Sequence, residues 1–359
     1  MPTTRIPLSG DQVDPADVTR VAEAIRDQRS VVLPTETVYG LVADPRSQES
    51  QDRARDLKGR TPDQLFTHHI ADRAALEALV DHVPAPIERL IDRYWPGPLT
   101  VVLPGIDGAN VGVRMPAHSF TQAVLKEFAP SLYLTSVNRS GAPDLLDPDA
   151  ILNEFGDSID LIVDDGPSTL GQASTVIRWQ SSGEIEILRE GALSERDIWE
   201  HAATRILFLC SGNTCRSPLA EAAARRAVAK TLGTTDDRVL AHGFWFQSAG
   251  LGAGYGSPAS DGSRTVAKEA GLDLEDHSSQ PLTAELCEQA DKIYCLGPSH
   301  LAALQQLDRR IAEKAELLDP EGSGVPDPFG GDLDIYRKAR EAITKAVEKR
   351  IKQQLAALV

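Results

Sequence analysis

The sharpest chemistry in this chain lies in one short run. Cys210 and Arg216 bracket Ser211-Gly212-Asn213-Thr214-Cys215, and Ser217-Pro218 follow. A thiol attacks as its thiolate, and a nearby cation together with a helix N-terminus favours that form. The preceding Ile206-Leu207-Phe208-Leu209 is apolar and reads as a buried strand, while Pro218 suits the first turn of a helix through Ala224. A strand, a small polar loop and a helix start aim several backbone N–H groups at one point, which makes an anion site. A thiolate beside a phosphate cradle is the chemistry of a cysteine phosphatase. Such a reaction also needs an acid for its leaving group. Two Asp-Pro pairs, Asp319-Pro320 and Asp327-Pro328, could supply it or simply start turns.

A second group of polar residues is spread over the first half. Lys58-Gly59-Arg60 stands just past a helix ending at Leu57, where the glycine lets backbone approach and two cations can converge on a polyphosphate. Arg114 lies inside the apolar run Val111–Met115, a costly place for a charge unless an anion pairs with it. Ser136 and Asn138 fall on the same side of the extended chain that follows Leu132–Thr135. Pro15–Gln28 has Val18, Val21, Ala22 and Ile25 on one helical face. Val31–Leu41 reads as an apolar strand ending in polar turn residues, and Trp95–Thr100 as a rigid turn feeding the strand Val101–Leu103. Leu161–Gly166, Ser174–Ile177 and Ile185–Arg189 are further strands. Polar residues delivered from several strand ends describe a ligand cleft, and the residues alone leave the ligand open.

At 359 residues the chain has room for about two domains. The net charge of −16 is uneven, −14 on residues 1–200 and −2 on the remainder, so the first half is a poor nonspecific binder of nucleic acid. Met1–Asp17 has no apolar core, so no signal peptide is expected, and no run approaches the ~18 apolar residues of a membrane span. All four cysteines, Cys210, Cys215, Cys287 and Cys295, lie in the second half, which suits a reducing, cytoplasmic setting without membrane attachment. The expected boundaries are 1–198 for a first domain, 199–204 for a linker and 205–359 for a second. Leu193–Thr204 lacks a Gly/Ser tract and reads as a helical connector. Beyond it, apolar strands (Phe244–Gly250, Asp291–Leu296) alternate with helices (Ser260–Ala270 closed by Gly271, then Asp332–Leu358). That alternation predicts an α/β fold with a parallel sheet between helices and the site at the strand carboxyl ends.

In the first half, Pro34-Thr35-Glu36-Thr37-Val38-Tyr39-Gly40-Leu41, Lys58-x-Arg60, Trp95-Pro96-Gly97-Pro98-Leu99-Thr100 and Arg114-Met115-Pro116 occur in order. Ser136-x-Asn138-x-Ser140-Gly141, Ser174-Thr175-Val176 and Arg189-x-Gly191 follow. Together, over about residues 10–195, they resemble the YrdC-like threonylcarbamoyl-AMP synthase family. The resemblance implies an α/β domain with a twisted mixed sheet that condenses L-threonine, bicarbonate and ATP into threonylcarbamoyl-AMP and releases pyrophosphate. It implies Mg²⁺ with the ATP, no stable tRNA binding, and a product passed to a tRNA threonylcarbamoyl-transferase complex. By motif, Lys58, Arg60, Asn138 and Arg189 would hold ATP, and Thr35, His69, Arg114, Ser136 and Ser174 would hold threonine. Two departures stand out. The family usually has proline after Arg60 and Pro-Leu a few residues on, where this chain has Thr61-Pro62-Asp63-Gln64-Leu65-Phe66-Thr67-His68-His69. Which histidine faces the cleft is therefore open, with Ile70 favouring His69. Val137 also replaces a common alanine. A nucleotide-binding sensor without synthase activity is the other reading of this half.

In the second half, Cys210-x5-Arg216-Ser217-Pro218, Ser248-Ala249-Gly250 and Asp327-Pro328-Phe329-Gly330-Gly331 resemble the low-molecular-weight protein-tyrosine-phosphatase family. The resemblance implies a Rossmann-like three-layer domain with a parallel sheet and a phosphate-binding loop, working without a cofactor on a phosphoprotein. Cys210 would be the nucleophile that forms a phosphocysteine, Arg216 the transition-state clamp, and Asp327 the general acid and later base. Ser211, Gly212, Asn213, Thr214, Cys215 and Ser217 would form the loop. Thr214 and Phe329-Gly330-Gly331 are similar to the protein-arginine-phosphatase branch, so phosphoarginine is favoured over phosphotyrosine. Cys215 could close a reversible disulfide or be an inert thiol. Arsenate reduction, which relays a disulfide through extra cysteines, expects one after the strand carrying Cys295, and none follows. A phosphoprotein-binding module without turnover is the third reading, against which the complete Cys210, Arg216 and Asp327 set speaks.

Overall fold

The apolar runs of the first half assemble a ten-stranded mixed sheet, and those of the second a four-stranded parallel sheet. The computed structural model describes residues 2–8, 10, 12–61, 64–180, 184–322 and 324–356, with backbone alone at 157 and 356. Contacts divide the chain into two compact units, Met1–Ala202 and Ala203–Val359.

In the first unit the helix Pro15–Arg26 is N-capped by Asp14 and buries Val18, Val21, Ala22 and Ile25. The single strand expected over Val31–Leu41 is two strands, Val31–Leu33 and Gly40–Ala43, paired antiparallel. The reason is local turn chemistry: the Thr35 hydroxyl accepts from the Thr37 and Val38 amides (3.2 Å each) and reverses the chain between them. Strands Leu99–Pro104, Leu132–Ser136, Leu161–Asp164, Thr175–Trp179 and Ile185–Arg189 lie where apolar runs predicted them. Two others escape the pattern. Thr4–Pro7 extends one end of the sheet beside Leu161–Asp164, and Thr67–His69 is too short to show a period. The latter nevertheless sits mid-sheet, parallel to Asn110–Arg114 and antiparallel to Leu132–Ser136. Both sheet faces are covered: Val31, Leu33, Val42 and Leu134 join one apolar cluster, while their neighbours Val32, Leu41 and Ala43 join another. The connector is the helix Glu195–Ala202, whose Ile198 and Ala202 pack with Ile87 and Leu90.

In the second unit Thr204–Cys210 lies between Phe244–Gly250 and Lys292–Cys295, with Ala315–Leu317 outside the last, all parallel. Alternate residues of the central strand enter opposite clusters, Ile206, Phe208 and Cys210 on one side, Leu207 and Leu209 on the other. The result is a three-layer arrangement. The helices Arg216–Leu232 and Leu333–Ala356 pack on the first side. Leu358, the expected end of the terminal helix, lies outside the described residues.

Candidate active sites

The first site is built where sheet strands end beside the helix Gln48–Lys58. Gly59 stops that helix at φ 61°, a left-handed conformation that favours glycine, and so turns Lys58 and Arg60 toward the end of the strand Leu132–Ser136. The Lys58 ammonium donates to the Ser136 carbonyl and to Asn138 Oδ1 (3.1 Å). Ser136 Oγ also donates to Asn138 Oδ1 (2.6 Å), so the pair that alternation placed on one side does meet. Arg60 donates to Thr135 Oγ1 (3.2 Å), the Leu65 carbonyl (2.6 Å) and Gln64 Oε1 (3.1 Å). Arg189 donates to the Ser174 carbonyl (2.8 Å), and Ser174 Oγ meets Thr100 Oγ1 at 2.8 Å.

A cavity of about 670 Å³, mouth included, is lined by Thr35, Arg60, His69, Arg114, Ser136, Ser174 and Arg189. Lys58 and Asn138 do not line it but brace Ser136 at its edge. His69 lines the cavity, whereas His68, one residue away on the same strand, contacts Ser131 Oγ (2.7 Å) and the edge of Tyr133. Strand alternation thus decides which histidine faces inward. Burial pushes His69 down to about 3 and His68 to about 4, so both rings are neutral at ordinary pH.

The electrostatics are mainly positive, with the Asp144 carboxylate acting at longer range on Lys58 and Arg189. Burial, then the neighbouring Arg60 charge, pull Lys58 down to about 8. Burial lowers Arg60 and Arg189 as well. Among the described residues no carboxylate forms an ion pair with any of these three cations. Arg114 is different. It is 4% exposed, and the carboxylate that its burial demands is Glu36, at 2.6 Å. Glu36 also accepts from the Ala117 amide (3.0 Å). The sequence placed Glu36 in a motif without giving it a partner. Thr67, Thr100 and Thr135 also line the cavity and were not singled out.

The second site stands at the carboxyl end of the central strand of the other unit. Cys210 Sγ lies 3.0 Å from Ser217 Oγ, which also accepts from Asn213 Nδ2 (2.9 Å). Asn213 holds φ 52° and is fully buried. Its Nδ2 also donates to Ser248 Oγ (3.0 Å), its Oδ1 accepts from the Gln280 backbone N–H (2.8 Å), and its backbone carbonyl meets His277 Nε2 (2.7 Å). Ser248 Oγ in turn donates to Glu221 (2.8 Å). The loop is locked by buried side chains rather than left to its own turn geometry. Gly250 lets the neighbouring strand come close: a Cβ there would stand 2.6 Å from the Ser211 carbonyl and 2.8 Å from the Asn213 nitrogen.

Arg216, at the start of its helix, donates to Asp327 Oδ2 at 2.5 Å. The other candidate acid, Asp319, accepts from the Glu321 amide (3.0 Å) in a turn. Of the two Asp-Pro pairs, the chain therefore brings Asp327 to the loop. Thr214 Oγ1 stands 3.7 Å from Cys215 Sγ, and Phe329 is 82% exposed beside Asp327. Cys215 is a buried free thiol near Ser260 Oγ (3.3 Å) and Tyr336. Cys287 and Cys295 are buried among Leu207, Leu209 and Ile293, and burial pushes Cys295 up to about 12, the setting of inert core thiols. His300 is a residue the sequence reading missed. It is 2% exposed and its Nε2 meets Ser211 Oγ at 2.9 Å, a contact that no local spacing announces. Among the described residues no helix is long and apolar enough to cross a membrane.

Comparison with known proteins separates the same two stretches. The Sua5/YciO/YrdC family model, described as telomere recombination, matches residues 23–191, and the low molecular weight phosphotyrosine protein phosphatase model matches residues 205–358. A threonylcarbamoyl-AMP synthase of Pyrococcus abyssi is 35% identical over 48% of this chain and 54% of its own length. One from Idiomarina loihiensis is 31% identical over 44% of this chain and 90% of its own. A protein-arginine-phosphatase of Bacillus subtilis is 32% identical over 41% of this chain and 95% of its own. The chain spans about half the length of the first synthases it matches. A solved structure of a Pyrococcus abyssi Sua5 double variant shares the fold at 22% identity and a TM-score of 0.52, covering 88% of this chain and 98% of that one.

Proposed function

Since residues 23–191 belong to the Sua5/YciO/YrdC family and residues 205–358 to the low molecular weight phosphatase family, we propose that this chain is a bifunctional enzyme. The first unit makes threonylcarbamoyl-AMP from L-threonine, bicarbonate and ATP. The second hydrolyses phosphoarginine in proteins through a phosphocysteine.

The observation that carries the first assignment is the cluster of Lys58, Arg60 and Arg189 at the cavity and its edge, with which no carboxylate of the described residues forms an ion pair. Such a group wants a polyanion, and MgATP supplies one, the metal entering with the nucleotide. The threonine amine and bicarbonate condense to a carbamate with loss of water. A carbamate oxygen then attacks the α-phosphorus, the bond to the β-phosphate oxygen breaks, and pyrophosphate leaves. Positioning and charge neutralisation are the protein's contribution. Arg114 and the Thr35, His69, Ser136 and Ser174 side chains hold threonine, while Lys58, Arg60, Asn138 and Arg189 hold the nucleotide. The product passes to a separate tRNA-modifying machinery.

In the second unit the Cys210 thiolate attacks the phosphorus, Asp327 protonates the departing nitrogen or oxygen, and Arg216 exchanges its Asp327 contact for the equatorial oxygens. Asp327, now a carboxylate, takes a proton from the water that cleaves the P–S bond. Thr214 and the exposed Phe329 favour phosphoarginine as substrate, a hydroxyl being able to accept from a guanidinium.

The test is pyrophosphate release from ATP by the full chain with L-threonine, bicarbonate and Mg²⁺, beside turnover of phosphoarginine and phosphotyrosine peptides. Threonine-dependent release that vanishes in a Lys58→Ala, Arg60→Ala double variant supports the synthase. ATP binding without release would make the first unit a sensor. Equal turnover of both peptides would remove the phosphoarginine preference.

A further inference from the structure

The segment in which this chain leaves the family's usual pattern, Thr61–His69, contains a residue with an unusual set of neighbours. Phe66 is 6% exposed and immediately precedes the mid-sheet strand Thr67–His69. The Arg60 guanidinium lies over its ring at 5.1 Å and the Arg55 guanidinium at 4.9 Å, both within cation–π range. The ring is itself stacked on Tyr133, with centroids 5.2 Å apart and planes 23° from parallel. Tyr133 belongs to Leu132–Ser136, the strand whose Thr135 accepts from Arg60.

Arg60 faces a conflict. Its guanidinium is withdrawn from water and repelled by Arg55, yet among the described residues its hydrogen-bond acceptors are neutral: Thr135 Oγ1, the Leu65 carbonyl and Gln64 Oε1. A carboxylate would fix the side chain firmly and cancel its charge. An aromatic face attracts the cation through its quadrupole and leaves the full positive charge for an anion. The same ring occupies Arg55, which is also tied to Asp52 (3.3 Å). A leucine would fill the core position without offering a π face.

We propose that Phe66 is the positioning residue for Arg60, holding its guanidinium at the cavity by a cation–π contact that leaves its charge available to a phosphate. This rests on reading the cavity as a nucleotide site, so its test has two arms. In the first, ATP and L-threonine affinities are measured by calorimetry on the full chain and its Phe66→Leu, Phe66→Tyr and Phe66→Trp variants. Phe66→Leu weakens ATP by roughly 5- to 30-fold, the equivalent of losing one desolvated cation–π contact, and leaves L-threonine unchanged. Phe66→Tyr and Phe66→Trp restore most of the ATP affinity. The second arm reads the side chain directly, through the Arg60 Nε–H resonance assigned with an Arg60→Lys variant. Ring current shifts that resonance upfield in the wild type, and the shift collapses in Phe66→Leu. A wild-type resonance without ring-current shift overturns the proposal whatever the cavity binds. So does a Phe66→Leu protein that keeps its ATP affinity, or that loses ATP and L-threonine affinity in parallel with its thermal midpoint. A shifted resonance in a wild type that binds no ATP overturns the nucleotide reading and, with it, the phosphate role of Arg60, while the ring contact stands.

Discussion

Lys58 gives the first cavity a pH limb whose position and sign follow from its surroundings. Its pKa is drawn down to about 8 by burial first and the Arg60 charge second. A polyphosphate binds the ammonium and not the amine, and once bound it holds the proton on. Affinity should then fall in proportion to the protonated fraction of the free protein, by about 25-fold between about pH 7.5 and about pH 9.5. ATP itself gains no charge over that range, so calorimetric titration of ATP alone, without threonine and at fixed ionic strength, isolates the effect. Arg60→Ala weakens binding throughout but moves the limb to higher pH, because it removes the second cause of the depression and leaves the first. Lys58→Ala abolishes the limb. The linkage has a counterpart in stability without ATP. Between the depressed folded value and the ordinary lysine range, the unfolded chain binds a proton that the folded chain does not, so stability rises with pH across that window. An affinity that stays flat from pH 7 to 10, or a limb that survives Lys58→Ala, refutes the reasoning.

Three further outcomes can be checked. His68 and His69, pushed down to about 4 and about 3 mainly by burial, are neutral in the folded chain where unfolded histidine is already charged. Acidification from about pH 6.5 toward 4 should therefore cost the first unit stability at up to about 2.7 kcal/mol per pH unit, halved in His68→Phe, by chemical denaturation. Glu36→Ala strands the buried Arg114 guanidinium and should cost about 3–5 kcal/mol, with Glu36→Gln costing less and L-threonine stabilising the Ala variant more than the wild type. Asp327→Asn removes the acid beside Arg216 and should lower kcat on phosphoarginine peptide about 10²- to 10⁴-fold, far less on an aryl phosphate whose leaving group needs no proton.

Legibility from sequence followed the range of the interactions. The loop Cys210–Ser217 was readable because its strand, anion cradle and helix start are adjacent in the chain. Lys58 and Arg60 were readable for the same reason, with the helix end and its glycine between them. The turn at Pro34–Tyr39 was hidden by surrounding apolar residues, although Thr35 carries the hydroxyl that makes it. Thr67–His69 could not be seen at all, since three residues show no period and its place depends on partners far along the chain. Glu36 with Arg114 and Ser211 with His300 are meetings across 78 and 89 residues. Charge and residue type hinted that Arg114 needed an anion, and only the folded turn between Val31–Leu33 and Gly40–Ala43 supplies it, as Glu36.

On the proposed function the two units answer the same problem, holding phosphorus-bound oxygens, with different physics. The first gathers full charges and braces them with neutral groups, Lys58 on the Ser136 carbonyl, Arg189 on the Ser174 carbonyl, and Arg60 on Thr135 and the Phe66 ring. No carboxylate of the described residues pairs with these cations and burial lowers their pKa values, so on the proposed reading its affinity for a polyanion is tuned through protons and salt. The second, on the same proposal, relies on the partial charges of a loop and helix N-terminus, fixed by the Asn213, Ser217 and Ser248 bonds, with the Arg216 guanidinium paired with Asp327. Dipoles do not titrate, so its pH dependence comes from the reacting groups instead of the cradle. A cradle of charges fails gradually as each cation is removed. A cradle of oriented amides fails through geometry, when one buried bond that fixes the loop is lost.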